Sequence, residues 1–199
     1  DVLFLIDTTG SMSDEIGRIK ASLLSMTAKL RSLSREFDLR YAAVLYRDLN
    51  DDYVTKAHPF TGDIQAFDGA LQGIHADGGG DTPESLNQGL AEAVGRMGWR
   101  TGAAKVMFLV ADAPPHMDYD GDVPYGRSLQ AAVSRGIRIH SVAASGLSEA
   151  GSLVFRQIAQ FTRGKFIFVE YGTVEKSAAS HGVTGSSSRM SFPSVEKKG

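Results

Sequence analysis

The feature that most constrains the fold is a short, uninterrupted apolar run, Leu3-Phe4-Leu5-Ile6, that gives way at once to Asp7-Thr8-Thr9-Gly10-Ser11-Met12. A run without polar alternation reads as a strand buried on both faces, and such strands belong to parallel sheets covered by helices. Val106-Met107-Phe108-Leu109-Val110 repeats the pattern and also ends in a carboxylate, within Ala111-Asp112-Ala113-Pro114-Pro115-His116. Between and after these runs, apolar residues recur at helical spacing: Ile16, Ile19, Leu23, Met26, Leu30 and Leu33; Ile64, Phe67, Leu71 and Ile74; Leu86, Leu90, Val94 and Met97. The first series has the spacing of a coiled-coil seam, but it covers fewer than three heptads and strands follow it, so burial against a sheet is the better reading, with Met26 as core. Strands are expected at 2–7, Phe37 to Leu45, Tyr53 to Phe60, 105–111, Ile137 to Ala143 and Lys165 to Val169. Further helices are expected around Arg127 to Arg135 and Glu149 to Arg163, with Gly136 and Gly164 where helices stop. Alternating strand and helix predicts an α/β, doubly wound fold with a mainly parallel central sheet and helices on both faces.

Asp7, Thr9 and Ser11 fall at alternate positions where a strand ends and a turn begins. Carboxylate and hydroxyl oxygens without His or Cys suit Mg²⁺, Mn²⁺ or Ca²⁺. A second reading is local: Ser11 and Asp14 as a variant capping box for the next helix. A third segment, Gly78-Gly79-Gly80-Asp81-Thr82-Pro83-Glu84-Ser85, is a glycine turn opening a helix. Here too a local reading exists, with Thr82 as N-cap, Pro83 at the first helical position and Glu84 favouring the helix dipole.

Taken together, the three loops resemble the metal-ion-dependent adhesion site of von Willebrand factor type A domains, whose first loop reads Asp-x-Ser-x-Ser, with Thr9 in the middle place. The resemblance covers about residues 1 to 170. Tyr46-Arg47-Asp48 and Asp112-Ala113-Pro114-Pro115-His116 look like a bacterial and lower-eukaryotic branch of that family. It implies a domain over 1–171, one antiparallel edge strand at 53–60, and a divalent ion held by Asp7, Thr9, Ser11 and Asp112 with one residue of the second loop. The general type A pattern points to Thr82. Asp81-Thr82-Pro83-Glu84 resembles the Asp-x-Pro-Glu of integrin beta subunits, which points to Glu84 and makes Asp81 an accessory residue for a neighbouring ion. The implied function is that of a binding module with no enzymatic activity, in which the ion meets an Asp or Glu of a partner protein.

A rival reading is a Mg²⁺ phosphohydrolase of the haloacid dehalogenase type, which also carries an Asp after its first strand. Those enzymes need a second Asp two residues on as general acid, and Thr9 stands there. No Gly-x-Ser-x-Gly elbow or Gly-x-x-x-x-Gly-Lys loop occurs. A third reading is a regulatory metal-binding domain within a larger machine.

Weaker features read as structure. His116-Met117-Asp118-Tyr119-Asp120-Gly121-Asp122 fails as an EF-hand loop, because Gly stands fourth and no Glu stands twelfth. It is expected to be a solvated acidic rim, with His116 structural. Asp48, Asp51 and Asp52 are expected in a solvated turn near the same face, and Trp99 and Tyr41 in the core. A net charge of −2 from 21 basic and 23 acidic residues, without a basic stripe, gives no reason to invoke nucleic acid. No apolar run is long enough for membrane insertion. The start at a strand without Met suggests a domain cut from a longer chain. The absence of cysteine leaves the compartment open, with an extracytoplasmic site preferred to a cytoplasmic one. The Ser- and Gly-rich stretch 172–199 is expected to be a tail or linker.

Overall fold

The computed structural model describes residues 1–33, 37–80 and 82–169. Along them run β1 (Val2–Asp7), a single 3₁₀ turn (Gly10–Met12), α1 (Ser13–Leu33), β2 (Tyr41–Tyr46), β3 (Thr55–Thr61), α2 (Ile64–Gln72), α3 (Leu86–Gly95), β4 (Lys105–Ala111), α4 (Tyr125–Ser134), β5 (Ile137–Ala143), α5 (Glu149–Phe161) and β6 (Phe166–Phe168). The strands form one sheet in the order β3-β2-β1-β4-β5-β6, in which only β3 runs antiparallel. This is the doubly wound arrangement expected from the alternation of elements, including its antiparallel edge.

Every residue of β1 and β2 is buried. Strand side chains alternate between faces, so one core forms on each side of the sheet. Leu3, Leu5, Val44, Leu109 and Ile139 pack under α3, α4 and α5 with Leu86, Leu90, Leu129 and Phe155. Phe4, Ile6, Ala43 and Leu45 pack under α1 and α2 with Ile16, Ile19, Leu23, Phe67 and Leu71. Phe4 stacks between Phe67 at 5.9 Å and Phe108 at 5.6 Å. The side chains of Met26, Leu30 and Leu33 lie outside the described set, as do Asp81 and the segment 172–199.

The expected second strand begins too early. Phe37 is 59% exposed, and pairing starts at Tyr41 opposite Val2. Residues 37–40 lie outside the strand. Elsewhere the differences are of one to two residues at element ends.

Candidate metal-binding face

β1 and β4 are neighbours whose connections leave to opposite sides, and in open α/β sheets ligands bind outside the carboxyl ends of strands at that crevice. Asp7 is the last residue of β1, and Asp112 follows the last residue of β4. The chain turns sharply after Asp7: the Thr9 amide and hydroxyl both donate to Asp7 Oδ1, at 2.9 and 2.7 Å. Thr9 Oγ1 lies 3.2 Å from Ser11 Oγ, and Ser11 donates to Asp112 Oδ1 at 3.1 Å. One chain of hydrogen bonds thus joins Asp7, Thr9, Ser11 and Asp112. The Ser11 hydroxyl is spent on Asp112 and does not cap α1, which starts two residues later.

The second loop is held against the first by backbone. Gly10 N donates to Gly78 O at 2.9 Å and Asp77 N to Thr8 O at 3.0 Å. The approach is so close that a Cβ on Gly10 would lie 2.9 Å from Gly78 O, and Gly78, at φ +75°, would drive one into the Asp51 carboxylate. Glu84 then bridges to the third loop: its amide donates to Pro114 O and its carbonyl accepts from His116 N, both at 3.0 Å. Glu84 Oε1 and Thr9 Cβ lie 3.0 and 3.1 Å from the same point, the position a Cβ on Gly79 would take, which sets the Glu84 carboxylate beside Thr9. Thr82 is exposed. The cap position of α3 belongs to Ser85, so Thr82, Pro83 and Glu84 do not open the helix as the local reading had it.

Burial makes these acids costly to ionise. Asp7 is fully buried, and that burial pushes its carboxyl up to about 7; the Thr9 hydrogen bonds oppose the rise and the Asp112 charge adds to it. Glu84, 3% exposed, is pushed up to about 8, by burial first and then by the charges of Asp7 and Asp48. Asp112 is raised as well, chiefly by burial. Asp7 Oδ2 and Glu84 Oε2 are buried without a partner in hydrogen-bond geometry, and the buried Tyr46 hydroxyl, likewise unbonded, stands close to Asp7. An oxygen in that position normally has a donor or a cation against it. Among the described residues no three carboxylate or imidazole groups converge closely enough to chelate a metal by themselves. Any hard cation here would also draw on the hydroxyls of Thr9 and Ser11.

Of the residues around this centre, Asp48 and Asp51 depart from the expectation. Asp48 is buried, not part of a solvated turn. It accepts hydrogen bonds from Ser85 Oγ at 2.9 Å and from Tyr119 OH at 2.8 Å, and His116 Nε2 lies 3.8 Å away. Asp51 accepts from Gly79 N at 2.9 Å and from Asp48 N at 3.0 Å, stapling the loop after β2 to the glycine turn. Asp52 is exposed, as expected of a turn residue. His116 is structural: it stacks on Tyr119 with centroids 3.9 Å apart, its Nδ1 bonds Asp118 Oδ1 at 2.9 Å, and its carbonyl accepts from Asn87 at 2.7 Å. One sequence signal could have marked Asp48. It follows a wholly apolar strand run much as Asp112 does, and so arrives at the same end of the sheet.

Residues 1–123 match the family model described as von Willebrand factor A domain, and the chain belongs to that family. Among curated proteins it is similar to an alpha-protein kinase, vwkA, of Dictyostelium discoideum: 29% identical over 117 residues, which is 58% of this chain and 19% of the kinase. The chain therefore spans about a fifth of that relative's length. Among solved structures it resembles a von Willebrand factor type A protein from Catenulispora acidiphila, with a TM-score of 0.61, 19% identity and coverage of 85% of this chain and 38% of that one. It also resembles the pilus adhesin SpaC of Lactobacillus rhamnosus GG, with a TM-score of 0.63, 13% identity and coverage of 85% and 28%. At these identities the likeness is one of fold. Domains of this fold commonly mediate protein interactions.

Proposed function

We propose that this domain is a divalent-cation-dependent protein-binding module without catalytic activity of its own. The observation that carries the reading is the pair of orphaned oxygens, Asp7 Oδ2 and Glu84 Oε2, buried beside the hydroxyls of Thr9 and Ser11 and the carboxylate of Asp112. An all-oxygen set of this kind suits Mg²⁺, Mn²⁺ or Ca²⁺. Asp7, Thr9, Ser11, Glu84 and Asp112 would hold the ion, with Glu84 preferred to the exposed Thr82 as the second-loop donor. When bound, the ion supplies positive charge and a coordination position that an Asp or Glu carboxylate of a partner can fill. The protein's own part is to hold these ligand oxygens at the end of the sheet: Thr9 orients Asp7, Ser11 ties Asp112 to the first loop, and Glu84 is held by donating its amide to the Pro114 carbonyl and accepting from the His116 amide.

The phosphohydrolase reading finds no support in the residue two after Asp7. Thr9 donates to Asp7 and has no carboxyl with which to protonate a leaving group. The likeness to part of a much longer kinase favours a domain that serves other modules of its own polypeptide.

Calorimetric titration with Mg²⁺, Mn²⁺ and Ca²⁺ tests the proposal. We expect one ion per chain in the wild type and none in Asp7→Ala, with acetate at high concentration competing for a bound acidic peptide. Absence of binding by all three ions would refute the metal site. Metal-dependent turnover of a phosphate ester that is lost in Asp7→Asn would replace the module with an enzyme.

A further inference from the structure

The chain as a whole is close to neutral, yet its charge is sharply divided. The segments 7–15, 47–54, 73–80, 82–85 and 112–124, which meet at the carboxyl ends of the strands, hold twelve of the 23 acidic residues and one of the 21 Lys and Arg. That one cation, Arg47, is buried, with its guanidinium over the Tyr53 ring at 4.6 Å and 3.8 Å from Asp52, whose charge it partly offsets. The exposed basic residues nearest in sequence, Arg18, Lys56 and Arg127, stand on α1, β3 and α4 outside these loops. Asp52 and Asp118 carry side chains 83% and 79% exposed, and Asp77 and Asp120 are exposed with them. The orphaned oxygens of Asp7 and Glu84, both more than nine-tenths buried, lie at the centre of this face. One divalent ion would offset only a small part of the charge around it.

With a divalent ion bound at its centre, such a face would draw a carboxylate there and repel others at its rim. We infer that it selects a partner peptide bearing a single Asp or Glu flanked on both sides by Lys or Arg, and rejects acidic segments. The inference rests on the metal-bridge reading and adds the chemistry of the partner. The central carboxylate meets the ion, and the flanking cations lie over Asp52, Asp77, Asp118 and Asp120. Rim charges of this kind set association rate and selectivity, and their effect falls with salt. Met117, 68% exposed beside His116, offers an apolar contact next to the acidic rim.

The test uses fluorescent Gly/Ser peptides with one central Asp between pairs of Lys, the same peptide with Glu pairs, and the Lys peptide with a central Asn, all at saturating Mg²⁺. The Lys-flanked Asp peptide should bind about tenfold or more tightly than the Glu-flanked one at low salt, with the gap narrowing as salt rises. In Asp52→Asn/Asp118→Asn/Asp120→Asn, checked for retained Mg²⁺ affinity, most of that preference should vanish. Metal-dependent binding with no flank preference, or a preference untouched by the triple substitution, would overturn this inference alone. Binding undiminished in EDTA, with a central Asn tolerated, would overturn the metal bridge and this inference with it.

Discussion

Without a cation, the buried acids make the fold less stable as pH rises. A carboxyl whose folded pKa lies above its unfolded value stabilises the protein while protonated; that stability is full below the unfolded pKa and is lost as pH climbs through the folded one. For Asp7 the window runs from its ordinary value of 3.8 to about 7, and for Glu84 from 4.5 to about 8. One pKa unit corresponds to about 1.4 kcal/mol, so Asp7 alone accounts for about 4 kcal/mol between pH 4 and 8. Glu84 and Asp7 raise each other's cost, and a coupled pair contributes less than twice the single figure. His58 and His140 have lowered values and act in the opposite sense near pH 6, offsetting part of the loss. Urea unfolding in EDTA at pH 5 and pH 8 should show a drop on the order of 3 kcal/mol, smaller in Asp7→Asn, where Glu84 stays buried and still titrates, and largely absent in Asp7→Asn/Glu84→Gln. Millimolar Mg²⁺ or Mn²⁺ at pH 8 should restore the wild type and leave Asp7→Asn unmoved. Equal stability at the two pH values in EDTA, or the same slope in Asp7→Asn, would refute the reasoning.

The second-loop donor can be assigned by paired substitution: Glu84→Gln should cost the domain most of its metal affinity in a calorimetric titration while Thr82→Ala leaves it within a factor of about two. The reverse pattern would transfer the role to Thr82. Asp48→Ala removes a buried acceptor from Ser85 and Tyr119 and should lower unfolding free energy by about 2–3 kcal/mol, whereas Asp120→Ala, on the same face but exposed, should change it by less than about 0.5 kcal/mol. Equal effects from the two, measured by urea denaturation, would show that Asp48 is not the hub of this loop.

Much of the architecture was legible because it depends on period and composition. Runs such as Leu3 to Ile6 and Val106 to Val110 are too continuous to face water on either side, and the helical repeats between them cover the sheet, so the parallel order follows from elementary burial. The oxygen-bearing residues after those runs were legible for the same reason, since a buried strand must deliver its next residues to the sheet's end. The sequence therefore specifies the kind of fold and the oxygen chemistry of Asp7, Thr9, Ser11 and Asp112. It did not determine where β2 begins, because Phe37 and Leu39 are as apolar as the strand residues and only the pairing with β1 marks Tyr41 as the start. Nor did it separate Thr82 from Glu84, since either fits a helix start; the backbone bonds from Glu84 to Pro114 and His116 bury one and leave the other exposed. Asp48 read as a turn residue beside Asp51 and Asp52, three acids alike in sequence. Tertiary packing alone distinguished them, by bringing Ser85 and Tyr119, 37 and 71 residues away, to the one carboxylate they could satisfy. Hydrogen-bond partners that distant leave no periodic trace in a sequence, which is why burial could be read from it and burial of these particular charges could not.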